Sequence, residues 1–200
     1  MKKNKKLGLF FFAIIAVPFT AFAIMQWYQQ RLGALPYFGP EDHRIGDFRF
    51  TGQEGETLSE KDWEGKIVVA NFFFTHCMSV CPKMMYQLKR VDADAGSQVV
   101  INSFTVDPDR DSAGQLKAYA NRLGVDEKWM LLTGDKKALY RFARTDLMID
   151  ATDGDGGPND FIHSDRLVLI DQQRRIRGYY DGTDAGDVDR LIRDIKKLEH

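Results

Sequence analysis

Hydrophobic and polar positions divide the chain into segments of different period. A basic head, Lys2, Lys3, Lys5 and Lys6, precedes Leu7 to Met25, an uncharged apolar run of 19 residues. That run is long enough to span a bilayer, and Trp27 and Tyr28 follow it as interfacial aromatics do. Ala21-Phe22-Ala23 also has the small-x-small form of a signal-peptide cleavage site, so a retained anchor and a cleaved signal both stay open, the anchor favoured. Asp47 to Thr51 then alternates polar and apolar, predicting a short strand, and Leu58 to Trp63 reads as a small turn of helix. Lys66 to Phe74 is almost continuously apolar, the pattern of a strand buried on both faces. Helical spacing follows at Pro82 to Val91 and a further strand at Gln98 to Val106.

The second half continues the alternation. Ser112 can cap a helix running to about Leu123, with Gly124 as its terminator. Trp129 to Leu132 is a short apolar segment, and Asp135 caps a helix over Lys136 to Arg144. Asp150 to Asp160 is an acidic loop without the residue order of a calcium loop. Arg166 to Ile170 and Ile176 to Tyr180 read as strands joined by a hairpin turn, and Asp184 to Leu198 as an amphipathic helix. Strand, helix, strand, helix, then hairpin and helix fits an α/β domain of thioredoxin-like fold, a central mixed sheet with flanking helices. The expected organisation is an N-terminal membrane anchor or signal peptide at 1–28, a linker at 29–42 and the thioredoxin-like domain at 43–200. One N-terminal transmembrane helix would then precede the domain.

Composition narrows the function. Lys+Arg 28 against Asp+Glu 29 leaves a net charge of −1, which argues against a nucleic-acid partner. The basic head should remain in the cytoplasm and the rest be exported. The short head, without an Arg/Ser-rich transit peptide, favours a bacterial inner membrane crossed once, with the domain on the periplasmic side.

The chain has two cysteines, Cys77 and Cys81, in NFFFTHCMSVCPKMMYQLKR, where the buried strand meets a helix. On a helical turn, positions four apart share a face with Cβ atoms about 5–6 Å apart. In an extended segment they lie roughly 13 Å apart. Pro82 favours the first helical position. Near the helix N-terminus the thiolate is stabilised, and the thiolate attacks disulfides and binds metals. A disulfide needs Cβ atoms about 3.8 Å apart, so the C-x-x-x-C spacing leans towards metal without excluding a disulfide. Of the histidines, His163 stands just before the strand RLVLI, where this fold brings a strand entrance beside the thiols.

FFFTHCMSVCP, VDPDRD at Val106 to Asp111, IHSDRLVLID around His163 and the LPYFG linker together resemble the Sco/SenC family, which helps assemble cytochrome c oxidase. The resemblance runs from about Leu35 to the C-terminal helix. It implies copper ligands at Cys77, Cys81 and His163. The family commonly has Pro and Asp after the first cysteine; here Met78 and Ser79 stand there, which leaves the implied ligands intact. Two thiolates and an imidazole suit Cu(I), and added oxygen ligands would suit Cu(II). Asp107 and Asp111 could lie nearby, although a turn and a helix start account for them.

The implied function is a membrane-tethered copper chaperone, a metallochaperone rather than an enzyme. It would deliver copper to the dinuclear centre of a cytochrome c oxidase subunit. A copper donor and a thiol–disulfide partner are its other expected contacts. The alternative is a thiol–disulfide oxidoreductase that uses Cys77 and Cys81 as a redox pair to keep partner cysteines reduced. A thiol peroxidase fits less well, because Thr75 is present but no proline stands between Gly65 and Cys77.

Overall fold

The computed structural model describes residues 12, 14–22, 24–25, 34–149 and 164–199. Among these, Pro36 onward forms one compact unit. Its strands are β1 (Arg49–Gly52), β2 (Thr57–Ser59), β3 (Ile67–Phe73), β4 (Val99–Thr105), β5 (Trp129–Thr133), β6 (Arg166–Ile170) and β7 (Ile176–Asp181). Its helices are α1 (Val80–Asp94), α2 (Ala113–Leu123), α3 (Lys136–Arg141) and α4 (Ala185–Leu198). The strands make one mixed sheet in the order β2-β1-β5-β4-β3-β6-β7. β3, β4 and β5 run parallel, joined through α1 and α2, while β6 and β7 form the antiparallel hairpin beside β3. This is the expected α/β fold with a central sheet and flanking helices.

β3 sits in the middle of the sheet, and all seven of its residues are buried. Its alternate side chains serve two cores. Val68, Ala70 and Phe72 pack with Leu139, Tyr140 and Phe142 on one side. On the other side, Asn71 reaches Met84 of α1, and the Phe73 ring lies 5.5 Å from that of Tyr119 on α2. A polar chain crosses the same face. Trp129 Nε1 donates to Ser103 Oγ at 2.9 Å, and Ser103 Oγ donates to Asn71 Oδ1 at 2.6 Å. These buried polar atoms are satisfied by one another, so the central strands are fixed in register under α1.

Two elements differ from the sequence expectation. Thr57–Ser59 is a strand paired with β1, followed by a 3-10 turn at Glu60–Trp63. The helix after Asp135 ends at Arg141 and continues as a π-helical turn, Phe142–Asp146. Leu147 N–H closes that turn by donating to Phe142 O at 3.0 Å, and the Phe142 ring stands in a cluster with Phe48, Phe50, Trp63 and Phe104. Residues 36–42, read as linker, also make contacts: Phe38 N–H donates to Ile176 O at 3.1 Å, and Arg177 lies over the Tyr37 ring.

In the N-terminal unit, residues 12, 14–22 and 24–25 are helical, and apolar side chains such as Phe12, Ile15 and Phe19 are exposed. Among the described residues no helix is long and apolar enough to cross a membrane. The rest of the expected anchor, like the acidic loop from Asp150 to Asp160, lies outside the described residues.

A candidate paired-thiol metal centre at the end of the central strand

β3 ends at Phe73, and the backbone turns at once: Cys77 N–H donates to Phe74 O at 3.2 Å. The helix then begins at Val80, two residues earlier than Pro82 had indicated. Pro82 still lies in the first turn, where its missing N–H costs no intrahelical bond. The two thiols therefore do not meet as i and i+4 on a helix face. Cys77 comes from the loop and Cys81 from the first turn of α1.

Sulfur caps this helix. Ser79, at the N-cap position, makes no side-chain capping bond. The N–H of Cys81 donates instead to Cys77 Sγ at 3.3 Å. Burial pushes the Cys77 thiol up, but hydrogen bonds from the Cys81 side chain and from the backbone of Cys81, Ser79 and Val80 outweigh it and hold it below the usual thiol range. Cys81 is buried, and burial together with the bond to Cys77 pushes its thiol up to about 12. The pair is thus a half-exposed thiol held low beside a buried thiol pushed high, with no disulfide between them.

The thiols open onto a cleft of about 150 Å³ lined by Phe72, Phe74, Cys77, Cys81, Ser164 and Asp165, among others. Phe73, Val80 and Val106 complete its lining. His163 lies outside the described residues. Its neighbour Ser164 is described and lines the cleft with both cysteines. Among the described residues no group of three or more His, Cys, Asp or Glu could hold a metal ion. His43 is committed elsewhere, its Nε2 lying 2.8 Å from Asp146 O.

A second set of groups fixes the loop; of these the sequence reading named Asp111 only as a residue that could lie nearby, and preferred a helix start for it. Asp111 is fully buried and accepts from Thr75 N–H at 3.1 Å, from the Thr75 hydroxyl and from the Thr105 hydroxyl. Its own N–H donates to Asp107 O at 2.8 Å. One carboxylate therefore ties the thiol loop to the end of β4. Asp111 is neither a helix start nor solvent-facing, and Asp107 keeps the expected turn role. Three aspartates in VDPDRD look alike in sequence. The only hint was a threonine two residues before the first cysteine. Tyr119 was missed. Burial, then the nearby Cys81 and Cys77, push its phenol up to about 12.

The arrangement is a thioredoxin-like sheet presenting a paired-thiol centre at a strand end. Residues 39–200 match the SCO1/SenC family, and the chain belongs to that family. It is similar to a SCO1/SenC family lipoprotein from Bacillus anthracis, 31% identical, with a TM-score of 0.69 covering 82% of this chain and 100% of that one. It is also similar to BsSco, a member of the Sco family of cytochrome c oxidase assembly proteins in which a disulfide switch was identified. That likeness is 26% identity and a TM-score of 0.68 over 81% of this chain and 96% of that one. The copper-bound ScoI of Bradyrhizobium japonicum shares the fold, at 24% identity and a TM-score of 0.61 over 77% of this chain and 99% of that one.

Proposed function

We propose that the chain is a copper carrier that acts in cytochrome c oxidase assembly, tethered to the bacterial inner membrane by its N-terminal segment with the domain on the periplasmic side. Cys77, Cys81 and His163 hold the cargo, which passes to the dinuclear copper centre of an oxidase subunit. The observation that carries this reading is the pairing of a depressed, half-exposed Cys77 with Cys81 at a cleft that Ser164, the residue after His163, also lines. Two sulfurs and an imidazole favour Cu(I) over hard cations. Family membership and the copper held by the Bradyrhizobium japonicum protein of the same fold support it.

The chemistry follows from the asymmetry. Cys77 offers the more exposed and more readily ionised sulfur of the cleft. Cys81 gives up its proton when it ligates, so loading releases a proton and weakens as pH falls. Delivery is ligand exchange. A partner's donors replace the ligands one at a time, and an open cleft mouth admits them.

One observation favours a second activity at the same residues. An accessible low-pKa thiol beside a buried high-pKa thiol is the arrangement of attacking and resolving cysteines. Reduction of a partner disulfide would proceed by Cys77 thiolate attack, a mixed disulfide, and release of the partner as a thiol when Cys81 closes the Cys77–Cys81 bond. BsSco, with its disulfide switch, supports this reading.

Copper titration of the wild-type chain and of His163→Ala tests the assignment. Near-stoichiometric uptake by the wild type and weakened uptake by the mutant are expected. Unaltered binding in the mutant, or none in the wild type, would sink it. Robust insulin reduction without copper affinity would favour the second activity alone.

A further inference from the structure

The loop that carries Cys77 presents two more donor side chains to solvent. His76 and Met78 flank the cysteine, and both are exposed, Met78 to 93%. Methionine is ordinarily a buried, gap-filling residue, so a thioether left in water contributes nothing to this core. It is, however, a soft metal donor.

The hydrogen bonds around Thr75 orient the His76 ring. Nδ1 of His76 lies 3.0 Å from Thr75 Oγ1. The Thr75 hydroxyl has one proton and gives it to Asp111 Oδ1. Thr75 Oγ1 is therefore the acceptor in the contact with His76, and Nδ1 is the donor. A neutral imidazole with its proton on Nδ1 carries its lone pair on Nε2. Among the described residues no hydrogen-bond partner is placed on Nε2. Proteins orient metal-binding imidazoles in this way, with one nitrogen bonded to a fixed acceptor and the other left for the ion. Asp111, anchored to Thr105, supplies the fixed end of the chain.

We propose that His76 Nε2 and Met78 Sδ form an outer Cu(I) site through which the ion passes to Cys77 and Cys81. The inference rests on the copper reading given above. Cys81 is only 5% exposed and is poorly placed to meet an incoming donor protein. His76 and Met78 are accessible and adjoin Cys77 on both sides. In the transfer, the bonds from copper to imidazole and thioether break as two copper–thiolate bonds form. The ion stays monovalent, and the protons held by the thiols go to solvent.

The test has two arms on the full chain. In the first, silver(I), a redox-silent stand-in for Cu(I), is titrated into a Cys77→Ser/Cys81→Ser variant with labelled methionine methyl groups. The Met78 methyl resonance should shift, saturating at about one equivalent, and His76→Ala should abolish the shift. A resonance that stays still, or that moves equally without His76, overturns the proposal. In the second arm the thiols are intact, and Cu(I) is supplied as its bathocuproine disulfonate complex in stopped flow. The His76→Ala/Met78→Leu variant should load about tenfold more slowly, to the same final stoichiometry. A rate equal to that of the wild type overturns the passage. Silver binding by the thiol-free variant with no copper uptake by the wild type would overturn the proposed function while supporting the outer site.

Discussion

The loop at 74–79 and the first turn of α1 each contribute one cysteine to the same cleft, and they treat it in opposite ways. The loop leaves Cys77 half-exposed and surrounds its sulfur with donors, including the backbone of the turn that follows. The helix buries Cys81 against the end of the strand and offers less compensation. Sequence identity of the two residues therefore says little about reactivity. What differs is which side of the helix N-terminus each sulfur occupies: one accepts from the free N–H groups, the other rides on the helix that supplies them.

The largest expected effect breaks that comparison directly. In the folded chain at neutral pH, iodoacetamide should modify Cys77 faster than Cys81 by on the order of a thousandfold, because only the thiolate reacts and the two thiolate fractions differ by orders of magnitude. The sign is fixed by the shifts. The Cys77 rate should rise with pH through a midpoint below that of an ordinary thiol, and the Cys81 rate should rise only near about 12. Mass spectrometry of the modified chain reads both profiles, and denaturant should bring them together. Equal native rates would refute the asymmetry.

Next in size is the anchor of the loop. Asp111→Ala leaves the Thr75 N–H and the Thr75 and Thr105 hydroxyls without their acceptor, and should cost about 3 kcal/mol in urea unfolding. It should also move the Cys77 alkylation midpoint towards that of a free thiol, which a purely global loss of stability would not do. Adding Thr75→Val to Asp111→Ala should recover part of the loss, because it removes an unsatisfied hydroxyl along with its missing partner. No change in the Cys77 midpoint would mean that the carboxylate supports the fold and not the loop.

The smallest effect sharpens the contrast between sulfur and oxygen caps. Ser112 and Asp184 each accept from a backbone N–H in the first turn of their helices. Ser112→Ala and Asp184→Ala should each cost about 1 kcal/mol. Ser79→Ala should stay within about 0.5 kcal/mol, since Ser79 caps nothing and Cys77 Sγ serves α1. A loss at Ser79 as large as that at Ser112 would show that the hydroxyl, not the sulfur, starts α1.

Much of the fold was legible because its signals are local. The almost continuous apolar character of Lys66 to Phe74 marked a strand covered on both faces, and Ser112 and Asp135 announced their helices as caps. β2 was not legible, because three residues carry no period and their partners lie across a turn in β1. The π-helical turn after α3 was not legible either, because one extra residue per turn leaves no local sign in a short helical segment. At the site, the two cysteines were evident from their spacing. Asp111 was not, because its meaning depends on Thr75, 36 positions away, and on which of three similar aspartates the fold turns inward. Pro82 misled by two residues because a proline is tolerated throughout the first helical turn.

The central claim is that Cys77, Cys81 and the histidine just ahead of Ser164 act as one ligand set. X-ray absorption at the copper edge, on the full chain loaded with about one equivalent of Cu(I), tests it most directly. The account predicts two sulfur neighbours and one imidazole, with the imidazole signal lost in His163→Ala. A shell without sulfur, or an imidazole contribution unchanged by that substitution, would contradict it.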